Sequence, residues 1–395
     1  MLKISLPGSK SWINRFLVMS VFAKGSSSFV GGNSCDDVRY MIEAIKQFGH
    51  HIDSHGDKVV ITPAEWKPST VYAGEAGTVG RFLTPICGWL GNTRLNMAAQ
   101  LASRPLDEGL DTIVQSGGSV RKEENSLVFD TAMTTDEFVV SPKATSQFLS
   151  GFMMLAAGIK GSVELKSEIP ASAYVELTSK IIELFGVHVN KDQTIYTFSG
   201  ETRGVEARAE ADLSGASAVL VALALLNKEA LLEGWDAATV QAEGLLPEIL
   251  MRSGMNLDLC DEGLRYLGGE FKQLTIDCID VPDAVPALVA LAATGTGISV
   301  FDNFDYLSTK ESNRTLRIME MGKAAGIKID FDGKQLKVYP SVLHSCSLDG
   351  GDDHRMAMYA LLLKLCHDDI DVSGVHSLSK SFPDFQKKIE LIKTA

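Results

Sequence analysis

Residues 351–366 read GDDHRMAMYALLLKLC. Four strongly polar side chains, Asp352, Asp353, His354 and Arg355, run directly into a stretch that is apolar on nearly every side, the composition of a buried helix. An arginine and two carboxylates at the mouth of such a helix are costly to bury unless opposite charges meet them. The same junction recurs along the chain. Polar or small residues lead into apolar helices at SKSWINRFLVMSVFA, GTVGRFLTPICGWL, TSQFLSGFMML, LSGASAVLVALALL, VPDAVPALVALAA and DHRMAMYALLLKL. With Lys10, Thr78, Ser146, Ser214, Asp283 and His354 as markers, successive junctions lie 68, 68, 68, 69 and 71 residues apart.

A second series keeps the same period. MIEAIKQFGHHID, LDTIVQSGGSV, TSKIIELFGVHVN, LPEILMRSGMNLD and EMGKAAGIKID each read as an amphipathic helix, a glycine and the start of a strand pair. Their glycines, Gly49, Gly117, Gly186, Gly254 and Gly326, are separated by 68, 69, 68 and 72 residues. In the first, Val38, Met41, Ile42, Ile45 and Phe48 share one helical face. Glycine suits the left-handed residue that stops a helix. Each unit therefore reads strand, buried helix, strand, amphipathic helix, strand pair, an α/β fold of βαβαββ repeats. Six helix N-termini turned into shared space would present unpaired N–H groups and positive dipole ends to anions. With Lys10, Arg15, Arg81 and Arg355 at or near them, the pattern predicts a polyanion-substrate site between two multi-repeat lobes.

Composition limits the alternatives. A net charge of −13 argues against a nucleic-acid or anionic-membrane partner, while leaving room for a local basic pocket. The six cysteines are scattered without metal-ligand spacing and read as thiols of a reducing compartment. The longest uncharged run, Ala284–Phe301, contains Pro286, Gly295 and Gly297 and reads as a buried helix, a turn and a strand rather than a membrane span. No secretory signal precedes the first strand, so a cytoplasmic protein is expected.

Eight short motifs, PGSKSWINR (7–15), AGTVGRF (76–82), SRP (103–105), TSQF (145–148), VPDA (281–284), KESNR (310–314), DDHRMAM (352–358) and KSFPDF (380–385), occur in this order along nearly the whole chain. Together they resemble the 5-enolpyruvylshikimate-3-phosphate synthase family. The related UDP-N-acetylglucosamine enolpyruvyl transferases fit less well, because they carry Lys-Asn where this chain has Lys10-Ser11. The resemblance implies two lobes of three βαβαββ units, about residues 10–211 for one and 1–9 with 212–395 for the other. It also implies transfer of the enolpyruvyl group of phosphoenolpyruvate to the 5-hydroxyl of shikimate 3-phosphate, with release of phosphate. No redox cofactor and no catalytic metal are implied, and a monomer is expected.

Carried over position by position, the resemblance gives catalytic roles to Lys10, Asp283 and Glu311. Lys10 would contact phosphoenolpyruvate and assist proton transfer, Asp283 would bind ring hydroxyls and act as base, and Glu311 would share the proton transfer. Ser11 and Arg15 would hold the shikimate carboxylate. Gly77 would lie against the phosphoenolpyruvate phosphate, clamped by Arg104, Arg314, Arg355 and Lys380. Thr145, Ser146 and Lys310 would bind the shikimate phosphate, with Gln147 touching both substrates and Tyr174 near the ring. Read without the resemblance, Arg314 and Lys310 fit a solvated helix face, Asp283 fits a helix cap, and Arg355 with Asp353 fits a structural ion pair.

Several positions depart from the family pattern. Glu75 stands where asparagine is usual, and Ala171-Ser172-Ala173 where Ser, a basic residue and Pro are usual. Tyr306 and Ser308 replace an Asn and an Arg, and Asn313 replaces an Asp. These changes leave two other readings open: a degenerate paralogue that binds a phosphorylated metabolite without turnover, and an enolpyruvyl transferase with another acceptor.

Overall fold

The computed structural model describes every residue except 144, 170 and 171, and all side chains besides theirs except that of 172. Ala171 and the Ser172 side chain, singled out above as departures, therefore lie outside the described residues. The chain divides into two compact units, Gly8–Ala209 and Met1–Pro7 with Glu210–Ala395. No helix among the described residues is long and apolar enough to cross a membrane.

In Gly8–Ala209 the period resolves into three four-stranded sheets of one design. Two parallel strands are followed by an antiparallel hairpin: Glu206–Arg208, Ser27–Val30, Lys58–Thr62 and His51–His55 in the first. Thr70–Tyr72, Thr93–Asn96, Ser126–Thr131 and Ser119–Glu123 form the second. Glu137–Val140, Ser162–Leu165, Ile195–Gly200 and Val187–Asp192 form the third. The first sheet takes its opening strand from the far end of the unit, since Glu206–Arg208 arrives some 180 residues after Ser27–Val30. The other unit is closed the same way: Leu2–Ser5 lies parallel to Ala230–Glu233 across the whole intervening chain.

That second unit holds two more complete sheets: Leu2–Ser5, Ala230–Glu233, Gly263–Gly269, Met255–Cys260, and Thr275–Asp277, Ser299–Asp302, Leu336–Tyr339, Lys328–Phe331. The sixth repeat differs. Cys346–Asp349 and Ile370–Ser373 pair alone, and the chain ends in a helix, Phe385–Thr394, that buries Phe385, Ile389 and Ile392. Each such side chain contributes about 1.5–3 kcal/mol by leaving water, which substitutes for a closing hairpin. The five repeat glycines all have positive φ; at Gly49 and Gly254 it is 102°, a conformation that an L side chain adopts only with strain.

The six marked junctions are helix starts. Lys10–Ser20, Gly77–Leu90 and Gln147–Ile159 form the inner layer of one unit; Leu213–Leu226, Val285–Ala293 and His354–Cys366 form that of the other. Short side chains let the helices approach closely. Pro85 within Gly77–Leu90 removes the N–H that would otherwise bond the Arg81 carbonyl. Gly151 packs against that carbonyl, where a Cβ would sit 2.8 Å from the oxygen. This contact brings Gln147, one turn earlier, beside Arg81. Asn14 Nδ2 donates to Thr78 Oγ1 at 2.9 Å and ties the first helix to the second.

Candidate active site

In Gly8–Ala209 the polar groups gather at those three helix starts. Ser9 caps the first helix, accepting from the Trp12 N–H. Lys10 follows and donates Nζ to Asp37 Oδ2 at 2.8 Å, a largely buried pair. Arg15 is almost wholly buried. Its Nε donates to Thr178 Oγ1 at 2.7 Å, Nη1 to the Ser11 carbonyl at 2.8 Å, and Nη2 to Ser150 Oγ at 3.3 Å and the Tyr174 carbonyl at 3.1 Å. Burial lowers its guanidinium to about 10, with Tyr174 acting weakly the other way. Arg15 thus braces three helices with four of its five N–H donors.

The second helix start is a cradle. At Gly77 an added Cβ would lie 2.8 Å from Arg104 Nη1, 2.9 Å from Arg81 Nη1 and 3.3 Å from Gln147 Oε1. Two guanidinium groups and an amide therefore crowd a bare backbone at a helix N-terminus, an anion-binding arrangement. Arg81 Nη1 donates to Gln147 Oε1 at 2.8 Å, while its buried Nε has no hydrogen-bond partner among the described residues. Burial first, and Arg104 second, push the Arg81 guanidinium well below its ordinary value, with Glu108 opposing. An incoming anion would relieve that repulsion. Thr145 Oγ1 accepts from the Gln147 N–H at 3.2 Å, and Ser146 is the buried residue preceding the third helix.

In the other unit the acidic and basic residues interlock. Asp353 caps the His354–Cys366 helix by accepting from the Arg355 N–H at 2.9 Å. Its carboxylate also takes a two-pronged contact from Arg314, Nε at 2.9 Å and Nη2 at 3.1 Å, and a 2.8 Å bond from Ser312 Oγ. Arg314 Nη1 reaches Asp283 Oδ1 at 2.8 Å. Arg355 Nη2 lies 3.6 Å from Asp283 Oδ2, and its two terminal nitrogens donate to Ser214, Nη1 to the carbonyl at 2.6 Å and Nη2 to Oγ. Asp283, whose side chain is 25% exposed, is thus gripped by two guanidinium groups that are 2% exposed. Burial raises its carboxyl, but Arg355, Arg314, Lys310 and His354 outweigh that and hold it well below the usual carboxylate range. Burial lowers the Arg314 guanidinium, and Asp353, Asp283 and Glu311 more than reverse it, so Arg314 stays charged.

For Arg314, Asp283 and the Arg355–Asp353 pair the structure differs from the plain readings. Arg314 is buried rather than solvated. Asp283 does not cap the following helix, whose N-cap is Ala284 without a side-chain bond. Asp353 pairs with Arg314 through its side chain and meets Arg355 through a backbone N–H. Glu311 Oε2 lies 3.0 Å from the buried His354 Nδ1. Lys310 Nζ sits 4.1 Å from the centroid of the Tyr306 ring, one of the departures named above. Lys380 Nζ donates to the Asp352 carbonyl. Glu311, Asp353 and His354 bring ligand atoms within 4.8 Å of one another, but hydrogen bonds to Arg314, Ser312 and within the trio occupy them.

Sequence reasoning missed Asp37 as the partner of Lys10, Asp353 as the partner of Arg314, and the buried Asp212 and Glu243. Asp37 and Asp353 could have been suspected, since each sits in an acidic pair at a helix start.

The family model for EPSP synthase (3-phosphoshikimate 1-carboxyvinyltransferase) matches residues 2–389. A 3-phosphoshikimate 1-carboxyvinyltransferase of Thermococcus kodakarensis is 29% identical over 385 residues, 97% of this chain and 95% of the relative. One from Shewanella baltica is 26% identical over 413 residues, covering 98% and 95%. Among solved structures, an EPSP synthase from Acinetobacter baumannii superposes with a TM-score of 0.79 at 19% identity, over 99% of this chain and 95% of that one. The enolpyruvyl transferase NikO from Streptomyces tendae gives 0.77 at 15% identity, over 100% and 95%. At such identities the two structures speak for the fold.

Proposed function

The chain belongs to the EPSP synthase family, and on that premise we propose that it transfers the enolpyruvyl group of phosphoenolpyruvate to the 5-hydroxyl of shikimate 3-phosphate, releasing phosphate. This is a step of aromatic amino acid biosynthesis. The observation that carries the reading is Asp283, a carboxylate kept ionised by two buried arginines at the mouth of apolar helices.

The chemistry requires a proton on the terminal vinyl carbon of phosphoenolpyruvate while the acceptor oxygen bonds the adjacent carbon. The methyl group formed then loses a proton and the C–O bond to phosphate breaks, restoring the double bond. Asp283 is a weak base while Arg314 and Arg355 hold it. An arriving carboxylate or phosphate competes for those guanidinium groups, so substrate binding itself restores the basicity of Asp283 toward the 5-hydroxyl. Glu311, with His354 behind it, and Lys10, with Asp37 behind it, are the groups proposed to move the proton at carbon. Arg104, Arg314, Arg355 and Lys380 would neutralise phosphoenolpyruvate, with Gly77 admitting its phosphate and Gln147 beside both substrates. Thr145, Ser146 and Lys310 would take the shikimate phosphate, Ser11 and Arg15 the carboxylate, and Tyr174 the ring.

A monomer in the cytoplasm is the simplest working form, because one chain supplies every group in this scheme. The two units Gly8–Ala209 and Met1–Pro7 with Glu210–Ala395 would serve as the two lobes. The reaction run in deuterated water provides the test. Passage through a methyl group must leave deuterium in the vinyl CH2 of the product; a product with no vinyl deuterium, or no product, overturns the scheme.

A further inference from the structure

Glu243 is a buried carboxyl that the scheme above leaves unused. It lies on the short 3-10 turn Ala242–Leu245, is 1% exposed, and its Oε1 has no hydrogen-bond partner among the described residues. The preceding residue but one fixes its place. Gln241 Oε1 accepts from the Leu213 N–H at 3.3 Å, and Gln241 Nε2 donates to the Ala211 carbonyl at 2.9 Å and to Glu210 Oε2 at 3.0 Å. The turn is thereby pinned to the N-terminus of the Leu213–Leu226 helix. Arg355 reaches the same helix start through its bonds to Ser214. Asp212 caps that helix with Oδ1, accepting from the Gly215 N–H at 3.0 Å, and leaves a buried Oδ2 without a partner. Arg355 Nε is likewise buried without a partner.

We propose that Glu243 is a charge-setting, positioning residue for Arg355: neutral, it leaves the guanidinium to the incoming phosphoenolpyruvate anion, and ionised, it competes with that anion. The proposal rests on the enolpyruvyl-transfer reading and deepens it. Charge counting at this end of the unit favours it. Arg314 and Arg355 already face Asp283 and Asp353, two cations against two carboxylates, so a third ionised carboxylate would turn this set net negative where a polyanionic substrate must bind. The groups that act on Glu243 are Asp283 and Asp212, which favour its protonated form, and Arg355, which opposes it; Lys310, Arg314 and His354 act in turn on Asp283. Burial, then Asp283, push its carboxyl up to about 8.

A group titrating there is about nine-tenths protonated at pH 7 and about nine-tenths ionised at pH 9. Apparent KM for phosphoenolpyruvate in the wild-type enzyme should then rise between those pH values by up to about tenfold, the ratio of the protonated fractions. In Glu243→Gln, which is permanently neutral, the rise should stay under about twofold by the same reasoning. Equal rises in both proteins overturn the role of Glu243 and leave the activity standing; a wild type that releases no phosphate from the two substrates overturns the activity itself. Should the variant not fold, calorimetry on the wild type at pH 8 decides. Phosphoenolpyruvate added with the unreactive 5-deoxy analogue of shikimate 3-phosphate, in buffers of different ionisation enthalpy, should take up roughly half a proton. No uptake overturns the proposal.

Discussion

Replacing Asp353 by alanine should separate the structural from the chemical work of the arginine–carboxylate cluster. The carboxylate accepts four hydrogen bonds: two from Arg314, one from Ser312 Oγ and one from the Arg355 N–H. Removing it leaves Arg314, itself 2% exposed, with Asp283 as its remaining ion-pair partner. Breaking a buried pair from one side costs about 3–5 kcal/mol, and losing an N-cap costs about 0.5–2 kcal/mol. Both losses come from one carboxylate and are not additive, and Asp283 retains part of the first, so about 4 kcal/mol is expected for the unit. At roughly 2–4 °C per kcal/mol for a unit of this size, its melting transition should fall by about 8–16 °C. Asp353→Asn keeps an oxygen for the cap and loses the charge, so it should fall by most but not all of that amount. Scanning calorimetry on both variants tests this. A shift below about 3 °C for Asp353→Ala, on the same scale, would mean that Arg314 does not depend on Asp353.

Glu311→Gln retains a hydrogen bond to His354 and loses proton exchange, so turnover should fall by on the order of 10²–10⁴, with shikimate 3-phosphate binding within a few-fold by calorimetry. Turnover above about a tenth of wild type, which is only ~1.4 kcal/mol of barrier, would exclude Glu311 from proton transfer. Gly77→Ala places a methyl 2.8 Å from Arg104 Nη1 and 2.9 Å from Arg81 Nη1, and should raise KM for phosphoenolpyruvate; an unchanged KM would show that the bare backbone at Gly77 does not admit that substrate's phosphate. His50, whose Nδ1 accepts from the Ala64 N–H, is lowered from 6.5 to about 4 by burial and then by His51. A lowered folded-state value stabilises the neutral form, so this contribution is complete above pH 6.5 and is lost as pH falls toward 4. His50→Asn should flatten the melting temperature over that window, and an unchanged slope would assign it to other groups.

The repeat was legible because two independent signals, the apolar helix start and the helix-stop glycine, share one period. Their disagreement carried information as well. Six helix starts accompany only five glycines, and the repeat without a glycine is the one whose hairpin is replaced by the Phe385–Thr394 helix. The exchange of opening strands was not legible, because Leu2–Ser5 and Glu206–Arg208 look like any short strand and only tertiary pairing places them. At the site, residue types in motifs pointed to the anion-binding groups, whereas their partners depend on folding. KESNR reads as a solvated face until Asp283 and Asp353 are brought to Arg314 from 31 and 39 residues away. Glu243 gave no signal, since one glutamate in QAEGLL is ordinary on a surface and becomes unusual only when the turn is pinned against a buried helix.

In the proposed reaction this chain couples two anionic substrates in one transfer. Inorganic phosphate release from phosphoenolpyruvate, followed with and without shikimate 3-phosphate, tests it directly. Release should require both substrates and should stop when the acceptor is exhausted, one phosphate for each acceptor consumed. No release with both present, or the same release from phosphoenolpyruvate alone, would rule out coupled transfer.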